Sequence, residues 1–254
     1  MELSKRLKTV AGAVTPGHRL ADVGTDHGYV PIFLVGRQIC PRAVAMDVNK
    51  GPLMRALEHV RKEELSDRID LRLSDGLKKL KPDEVDTVVI AGMGGDLICR
   101  ILLAAPEFLA AGVELVLQPQ SEWFKVRHFL HDHGYEIVRE WFLSEDGKYY
   151  VVIKALPGRN EPSADHYPDE IYYTYGFLLL KEGNPVLLEY LLKEKEKKES
   201  IVLNLKKQRL DEKRRCQDLM NEIGSIDNII HIHYNHNQAA ITTIQSRTIS
   251  RVMS

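Results

Sequence analysis

A short glycine-containing segment near the N-terminus carries residues suited to bind a small polar ligand. It reads Asp22-Val-Gly24-Thr-Asp26-His-Gly28-Tyr29 and lies between a predicted strand and a predicted helix. Glycine at such a position permits a tight turn and lets the backbone approach a ligand closely. The candidate ligand-binding residues of this segment are Asp22, Gly24, Asp26 and Gly28. The Gly-x-x-x-Gly spacing alone is also compatible with an ordinary turn.

Three further features indicate which ligand this segment binds. Asp47 ends the second predicted strand, where a carboxylate can accept hydrogen bonds from both hydroxyl groups of a ribose. Asp75-Gly76 follows the third strand, where a carboxylate can accept a hydrogen bond from an adenine amino group. Asp26 stands where dinucleotide-binding proteins carry a glycine, and it would repel a pyrophosphate but attract a sulfonium or an ammonium group. The sequence therefore favours S-adenosylmethionine over a nicotinamide dinucleotide.

Candidates for the reaction itself lie at the ends of the first, fourth and fifth predicted strands. Met93 belongs to the segment Ala91-Gly-Met-Gly-Gly95 and can pack on the face of a substrate, while Gly92 is assigned to the cofactor. Gln118 follows the fifth strand and can hydrogen-bond the edge of a base, or only the neighbouring loop. His27 can accept a proton from the product or line the pocket, and a packing or helix-capping role fits it equally.

The elements that must position these residues follow an α/β pattern. Short apolar runs alternate with amphipathic stretches from about residue 20 to residue 154, as in a parallel sheet covered by helices on both faces. The predicted strands are 20–23, 43–46, 69–73, 85–90 and 113–117, and the amphipathic stretches include 51–62, 97–104 and 121–133. Segments 135–143 and 149–154 flank an Asp-Gly turn signal and predict a hairpin. This pattern predicts a class I, Rossmann-like methyltransferase sheet with a terminal antiparallel hairpin, although other doubly wound enzymes have a similar outline.

The rest of the chain is predicted to form a helical arm. A polar loop precedes a helix at 169–182, and beyond Pro185 the sequence has neither Gly nor Pro up to residue 223, with leucine and isoleucine at helical spacing. We therefore predict a helical hairpin or coiled arm that bends near residues 206–212. The predicted organisation is a cofactor-binding domain over 1–155, the arm over 169–223, and an unassigned tail over 224–254.

The arm carries a local excess of positive charge. Ten Lys/Arg outnumber five Asp/Glu within residues 193–215, although the whole chain has a net charge of −1. Phosphate contacts dominate nucleic-acid affinity, so this excess predicts an RNA-binding surface. The residues assigned to it are Lys206, Lys207, Arg209, Arg214 and Arg215. A solvated helix face is the alternative interpretation of the same residues.

The bulk composition excludes several classes of protein. The chain has three widely spaced cysteines without a Cys-x-x-Cys pair, which argues against a disulfide scaffold and a structural zinc site and fits a reducing cytoplasm. The N-terminus has no apolar signal-peptide core, and no apolar run approaches the ~18 residues of a membrane span. Histidines at 231, 233 and 236 are not expected to bind metal. We expect a cytoplasmic protein without metal, and a monomer is favoured.

Six ordered motifs carry a resemblance to a known family. They are Leu3-Ser-Lys-Arg-Leu7, Ala21-Asp-Val-Gly-Thr-Asp-His-Gly-Tyr-Val-Pro31, Ser74-Asp-Gly-Leu77, Ile90-Ala-Gly-Met-Gly-Gly95, Leu117-Gln-Pro119 and Glu145-Asp-Gly-Lys-Tyr-Tyr150. The sequence resembles the bacterial TrmK family, tRNA (adenine-22-N1)-methyltransferases with a class I domain and a C-terminal helical arm. The resemblance runs in register over residues 3–155 and loosely to about 223. It implies S-adenosylmethionine as cofactor, tRNA as partner, and cofactor contacts near Gly24, Asp26, Asp47, Asp75 and Gly76.

The segment Ala91–Gly95 agrees with methylation of a ring nitrogen. Enzymes that methylate exocyclic amines commonly place an Asn or Asp after the fourth strand to orient and polarise the NH₂ group, and this segment has no such acceptor. Adenine N1 already has an in-plane lone pair, so it needs positioning more than activation. The methylated ring is cationic, and Asp26 can favour that developing charge.

Two alternatives stay open at this point. One is a class I methyltransferase that acts on a small molecule or a protein; the basic arm and the lack of a second lid domain weigh against it. The other is a non-catalytic RNA-binding protein that kept the cofactor fold; intact Gly24, Asp47 and Asp75 weigh against it. The sequence does not indicate which tRNAs are modified or which residue accepts a proton.

Overall fold

The N-terminal part of the chain forms a seven-stranded sheet. The computed structural model describes residues 2–158, 167, 169–207 and 213–234. The strands are β1 (Leu20–Val23), β2 (Ala43–Asp47), β3 (Ile69–Leu73), β4 (Thr87–Met93), β5 (Glu114–Pro119), β6 (Tyr135–Glu145) and β7 (Lys148–Pro157). Their order is β3-β2-β1-β4-β5-β7-β6, with β1 to β5 parallel and β7 antiparallel to both of its neighbours. The predicted class I sheet with a terminal antiparallel hairpin is confirmed.

Helices flank the strands of this part of the chain. They are α1 (Lys5–Ala13), α2 (Tyr29–Gly36), α3 (Lys50–Lys62), α4 (Gly95–Leu103), α5 (Pro106–Ala111), α6 (Trp123–Asp132) and α7 (Glu170–Tyr175). Helices α2 to α5 connect the parallel strands, and α1, α6 and α7 accompany the ends of the sheet. Because parallel crossovers are right-handed, α2 and α3 lie on one face of the sheet and α4 and α5 on the other. All residues of β1, β2 and β5 are buried, as expected for strands covered on both faces.

The strand order reverses between β1 and β4. β1 pairs with β2 on one side and with β4 on the other, so the loops that leave β1 and β4 diverge. Ligands of open parallel sheets bind in the crevice at the carboxyl ends of the strands at such a switch point. The fold therefore brings the loops after β1, β2, β4 and β5 to one edge, and these loops carry most of the residues singled out in the sequence.

The hairpin that closes the sheet turns at two residues. Asp146 and Gly147 have φ values of 50° and 73°. Positive φ at both central residues matches the right-handed twist of the flanking strands, which is why Asp-Gly is favoured in two-residue hairpins. The strands are longer than predicted because β6 and β7 pair as far as Glu145 and Lys148 at the turn, and as far as Tyr135 and Pro157 at the other end.

A buried ion pair explains why the helix predicted over 169–182 is split in two. The Arg127 Nε donates to Glu140 Oε1 at 2.7 Å, and both side chains are 0% exposed. The Arg127 Nη1 also donates to the carbonyls of Tyr173 and Thr174 at the end of α7. Gly176 follows with φ of 90°, and a Cβ there would lie 2.7 Å from a Glu140 carboxylate oxygen. Only glycine fits beside the pair, and α7 ends there.

The chain divides into two compact units, Met1–Gly176 and Phe177–Ser254. The second unit contains α8 (Phe177–Lys181), α9 (Pro185–Lys207) and α10 (Lys213–Tyr234). α9 and α10 run antiparallel, as shown by ion pairs between Lys195 and Asp227 at 2.6 Å and between Lys198 and Glu222 at 2.7 Å. The predicted C-terminal helices are therefore present, and the predicted bend falls at 208–212, outside the described residues.

α10 continues beyond residue 223, where the sequence pattern gave no assignment. Asparagine and histidine, which have low helix propensity, recur here, and Gly224 begins the segment. Ile226, Ile229 and Tyr234 are nevertheless buried, and the Tyr234 hydroxyl donates to the Asn184 carbonyl at 3.1 Å. Packing of one face of the helix thus outweighs the weak local preference.

The buried ion pair gives a testable expectation for stability. Arg127→Met should destabilise the first unit by about 3–5 kcal/mol, because it leaves the Glu140 charge buried without its cation. The double variant Arg127→Met with Glu140→Leu should recover a large part of that loss. Urea denaturation followed by tryptophan fluorescence measures both. Arg19→Met, which breaks the more exposed pair with Asp86, is the control with a much smaller expected effect. An equal loss in the single and double variants would contradict this account.

Candidate functional site

The loop after β1 is held against β2 by its backbone. The N–H groups of Gly24 and Thr25 both donate to the Met46 carbonyl, at 2.8 and 2.9 Å. Gly24, Asp26 and Gly28 all have positive φ, of 72°, 50° and 72°. The loop therefore makes a tight turn, and Asp26 adopts the left-handed conformation without being glycine, which costs about 1–3 kcal/mol in ordinary loops.

Gly24 and Gly28 have different neighbours. A Cβ added at Gly24 would overlap the methyl group of Met93, so the Met93 side chain lies directly on this glycine. A Cβ at Gly28 would lie 3.3 Å from the Cβ of Ala56 on α3. Gly28 thus allows the start of α2 to pack closely on α3, whereas Gly24 lies where the ends of β1 and β4 face each other. The structure brings together Gly24 and Met93, two of the residues singled out in the sequence.

Asp22 is a buried carboxyl group beneath this turn. Its Oδ2 accepts a hydrogen bond from the Thr25 hydroxyl at 2.6 Å, and the residue is 5% exposed. The pKa of Asp22 is raised to about 6, mainly by burial and to a smaller extent by the nearby charge of Asp47, while the hydrogen bond from Thr25 opposes the shift. Asp22 therefore ionises near neutral pH, and a cation brought close to it would favour the ionised form.

Asp47 ends β2 with its carboxylate at the carboxyl edge. Its Oδ1 accepts from the Asn49 N–H at 2.8 Å and its Oδ2 from the Asp26 N–H at 3.3 Å. Each carboxylate oxygen can accept two hydrogen bonds, so both keep one acceptor site. Val48 follows Asp47 with 60% of its surface exposed, and this apolar side chain was not singled out from the sequence. The only indication of Val48 in the sequence is its position directly after Asp47.

Asp26 is exposed and already near two basic side chains of the chain itself. The Arg55 Nη2 donates to Asp26 Oδ1 at 3.2 Å, and the His27 Nε2 lies 3.6 Å from Asp26 Oδ2. Arg55 could not be identified from the sequence, because a residue on α3 comes near Asp26 only in the folded chain.

His27 belongs to an aromatic group with Tyr29 and His59. The three rings are near parallel, with centroids 5.1 to 5.6 Å apart. The His59 Nδ1 lies 2.9 Å from the His27 carbonyl oxygen. The His27 Nδ1 is buried and has no hydrogen-bond partner among the described residues. The geometry thus gives His27 a packing role.

Asp75 and Gly76 lie at the same edge, after β3. The Ser74 N–H donates to the Asp47 carbonyl at 2.9 Å, which ties this loop to the end of β2. Asp75 is exposed and forms an ion pair with Lys78. Gly76 has φ of 58°, and a Cβ there would lie 3.1 Å from the Ile101 side chain on α4. A cavity of about 210 Å³ borders these residues, with apolar walls that include Leu97, Ile101 and Ala104.

The end of β4 is irregular and is fixed by Gln118. The pairing of β4 with β5 shifts register between Ala91 and Met93, and Gly92 between them has φ of 78°. The Gly92 N–H donates to Gln118 Oε1 at 3.1 Å, and the Gln118 Nε2 donates to the Pro119 carbonyl at 3.2 Å. Gln118 is 0% exposed. Of the two roles considered for it, these contacts correspond to hydrogen bonding within the neighbouring loops.

Arg6 is a third residue, after Val48 and Arg55, that was not singled out from the sequence. Its Nη1 donates to the same Gln118 oxygen at 2.8 Å, across 112 positions of sequence. Its guanidinium lies 5.6 Å from the centroid of the Tyr150 ring. The motif Leu3-Ser-Lys-Arg-Leu7 contains Arg6, but nothing in the spacing of that motif indicates a contact with β5.

The remaining predicted residues belong to the arm. Lys206, Arg214 and Arg215 are exposed on α9 and α10. Lys207 ends α9, but its side chain lies outside the described residues, as does Arg209 entirely. Among the residues that the structure describes, no group of three or more His, Cys, Asp or Glu side chains is arranged to hold a metal ion. In the same part of the chain, no helix is long and apolar enough to cross a membrane.

Comparisons with known proteins agree with this arrangement. A family model described as a methyltransferase domain matches residues 3–153. The tRNA (adenine(22)-N(1))-methyltransferase of Bacillus subtilis is 36% identical over 201 residues, which are 79% of this chain and 84% of that protein.

Solved structures give the same result over nearly the whole chain. The crystal structure of the Bacillus subtilis m1A22 tRNA methyltransferase TrmK has a TM-score of 0.80 at 34% identity, covering 90% of this chain and 99% of that chain. A putative tRNA (m1A22) methyltransferase of Streptococcus pneumoniae, in complex with S-adenosyl-L-methionine, has a TM-score of 0.77 at 37% identity, covering 91% and 100%. With this sheet, this site and these relatives, the chain belongs to the TrmK family of methyltransferases.

Proposed function

We propose that this protein transfers a methyl group from S-adenosylmethionine to N1 of an adenine in tRNA, at the position equivalent to 22. The observation that carries the proposal is the grouping of Gly24, Asp47 and Met93 at the carboxyl edge of the sheet, together with a segment at the end of β4, residues 91–95, that contains no Asn or Asp. The Bacillus subtilis relative, 36% identical, has the same named activity and supports the choice of substrate. We place the reaction in the cytoplasm.

The residues at the edge fit the cofactor in shape and charge. Gly24 lets the Met93 side chain lie against the loop after β1, because a Cβ there would overlap the Met93 methyl group. The two remaining acceptor sites of Asp47 would hold the ribose hydroxyls, and the exposed apolar surface of Val48 would pack on the adenine. Asp75 would accept a hydrogen bond from the adenine amino group. The absence of a side chain at Gly76 lets this loop pack beside Ile101.

The charges at the site suit a cationic ligand. Asp22 and Asp26 would favour the positive groups of the methionine part, since Asp22 has a pKa near 6 and is ionised above it. When bound, S-adenosylmethionine supplies an electrophilic methyl group on a sulfonium centre. The negative residues of this edge therefore oppose a pyrophosphate and favour a ligand with positive charge.

The end of β4 determines which atom of the base can accept the methyl group. Residues Ala91 to Gly95 provide backbone groups and the Met93 thioether, and no carboxylate or amide side chain that could polarise an NH₂ group. A ring nitrogen with its lone pair in the plane needs to be aligned and freed from pairing, so the target base must be unpaired or flipped out. We assign Met93 to packing on that base, Gln118 to holding the loop, and His27 to the pocket wall beside Asp26.

The arm is proposed to bind the tRNA through its tip. The lysines of the stem already have acidic partners: Lys193 pairs with Glu189, Lys195 with Asp227, and Lys198 with Glu222. By contrast, Lys206 and Arg214 have no carboxylate within ion-pair distance among the described residues, and both are exposed. The excess positive charge of residues 193–215 is therefore available to contact RNA mainly where α9 ends and α10 begins.

The first expected outcome concerns the product. Incubation with S-adenosylmethionine and an unmodified tRNA transcript should give 1-methyladenosine, identified by nucleoside mass spectrometry with retention-time standards and without alkaline conditions. A transcript with guanine in place of adenine 22 is the matched control and should give none. N6-methyladenosine or a methylated guanosine as the primary product would contradict the proposal that the end of β4 selects ring N1.

The second expected outcome concerns Asp47. Asp47→Ala should weaken S-adenosylmethionine binding by about 1.5–3 kcal/mol, because hydrogen bonds to a charged acceptor are lost. Asp47→Asn keeps one oxygen acceptor for the loop and should show a smaller loss. Calorimetry measures both, with Asp67→Ala at the opposite edge of the sheet as control. Unchanged affinity in folded Asp47→Ala would remove this residue from the cofactor site.

The third expected outcome concerns the arm. Neutralising the tip residues should weaken tRNA binding and flatten its dependence on salt, because fewer counterions are released, while cofactor affinity stays the same. The residues to change are Lys206, Lys207, Arg209, Arg214 and Arg215. Changing Lys195 and Lys198 to glutamine in the stem is the control, and it should affect helix pairing more than the salt slope. If the tip variant has the same salt slope of tRNA binding as the wild type, these residues do not contact phosphates and the arm has only a structural role.

A further inference from the structure

Arg6 is fixed in position at the start of α1. The carboxylate of Glu145, at the end of β6, accepts hydrogen bonds from the backbone N–H groups of Lys5 and Arg6. Ser4 caps the same helix, its hydroxyl accepting from the Leu7 N–H at 3.3 Å. A carboxylate and a serine at a helix N-terminus are both favourable there. The hairpin therefore holds the first turn of α1, and with it the Cα of Arg6, beside the ends of β4 and β5.

The partners of the Arg6 guanidinium are all neutral. One nitrogen donates to the buried Gln118 amide at 2.8 Å, and the guanidinium lies over the Tyr150 ring at 5.6 Å. Four other arginines of this unit form ion pairs with carboxylates: Arg19, Arg55, Arg72 and Arg127. No carboxylate among the described residues lies within ion-pair distance of the Arg6 side chain. Arg6 is thus an oriented cation whose charge is not neutralised within the described part of the chain.

Donors from two side chains converge beside Gly92. An ideal Cβ on Gly92 would lie 3.8 Å from the Arg6 Nη1 and 3.7 Å from the Gln120 Nε2. Gln120 is exposed, and its backbone N–H donates to the Met93 carbonyl at 2.8 Å, so it is anchored to the same segment. The space beside the end of β4 is therefore bordered by N–H donors, one of them cationic, which is the environment that suits an anionic oxygen.

We propose that Arg6 is a substrate-positioning residue that binds a backbone phosphate next to the target nucleotide; this inference rests on the proposed RNA substrate. Phosphate is the anion that RNA offers, and the guanidinium fork keeps further N–H donors when one is bound to Gln118. The Watson–Crick edge is an unsuitable partner, because methylation at N1 makes the ring cationic and a guanidinium there would oppose that charge. A phosphate contact fixes the strand and leaves the reacting edge free.

The test separates charge from structure. Arg6→Gln keeps an N–H donor for Gln118 and removes the charge, whereas Arg6→Lys keeps the charge and loses the fork. Arg37→Gln is the matched control, because Arg37 also lies over an aromatic ring, that of Phe33, and is at the opposite edge of the sheet. Each variant is assayed for tRNA affinity at several salt concentrations, for kcat and KM with tRNA, and for S-adenosylmethionine affinity by calorimetry.

Arg6→Gln should weaken tRNA binding roughly tenfold or more and lower the salt slope by about 0.7 to 0.9, the value for one phosphate contact. Cofactor affinity should change less than about twofold, a difference too small for a lost charged hydrogen bond. Arg6→Lys should restore the salt slope but not the full kcat, because a point charge does not fix the orientation that the fork provides. Arg37→Gln should match the wild type in every measurement.

Other outcomes would overturn the assignment. If Arg6→Gln keeps the wild-type salt slope and KM while the wild type methylates N1 of tRNA, Arg6 does not bind phosphate and the proposed function stands. If Arg6→Gln loses cofactor affinity in the same proportion as tRNA affinity, Arg6 supports the cofactor site instead. If the wild type forms no 1-methyladenosine in tRNA, the proposed function fails first, and the product assay alone identifies that case.

Discussion

The buried amide of Gln118 holds together the elements around the proposed substrate position. Its oxygen accepts from Gly92 on β4 and from Arg6 on α1, and its nitrogen donates within β5 to Pro119. A fully buried amide must have its hydrogen bonds satisfied, because each unsatisfied polar group costs about 1–3 kcal/mol. The bulge of β4 and the position of α1 are therefore linked through one side chain. Substitution of Gln118 would affect both at once.

The fold and the residues at the carboxyl edge of the sheet could be predicted from the sequence, because the patterns that indicate them are local. Runs of β-branched residues mark the strands, and the Asp146-Gly147 turn marks the hairpin, since both depend on preferences of residues close in sequence. The topology of parallel sheets then brings all carboxyl strand ends to one edge. That rule alone predicts that Asp47 and the segment around Gly24 lie near each other.

The rest could not be predicted because it depends on contacts distant in sequence. The bond from Arg6 to Gln118 spans 112 positions, and no periodicity or motif indicates it. The break at Gly176 exists because the glycine lies against the buried Arg127–Glu140 pair, which the sequence shows only as separate charges. The ion pairs between the two helices of the arm also depend on contacts distant in sequence. The sequence shows the excess of lysine, but it does not show which lysines have acidic partners.

The chemistry proposed here explains why positioning residues matter more than activating ones. Adenine N1 presents its own lone pair, so the end of β4 has no group to polarise it, and the rate would depend on how well the base and the methyl donor are aligned. Misplacement by about 1 Å can cost a hundredfold in such reactions. Alignment requires fixed contacts on the backbone of the substrate as well as on its base. A cation fixed by Gln118 on one side and Tyr150 on the other can provide such a contact without entering the plane of the reacting ring.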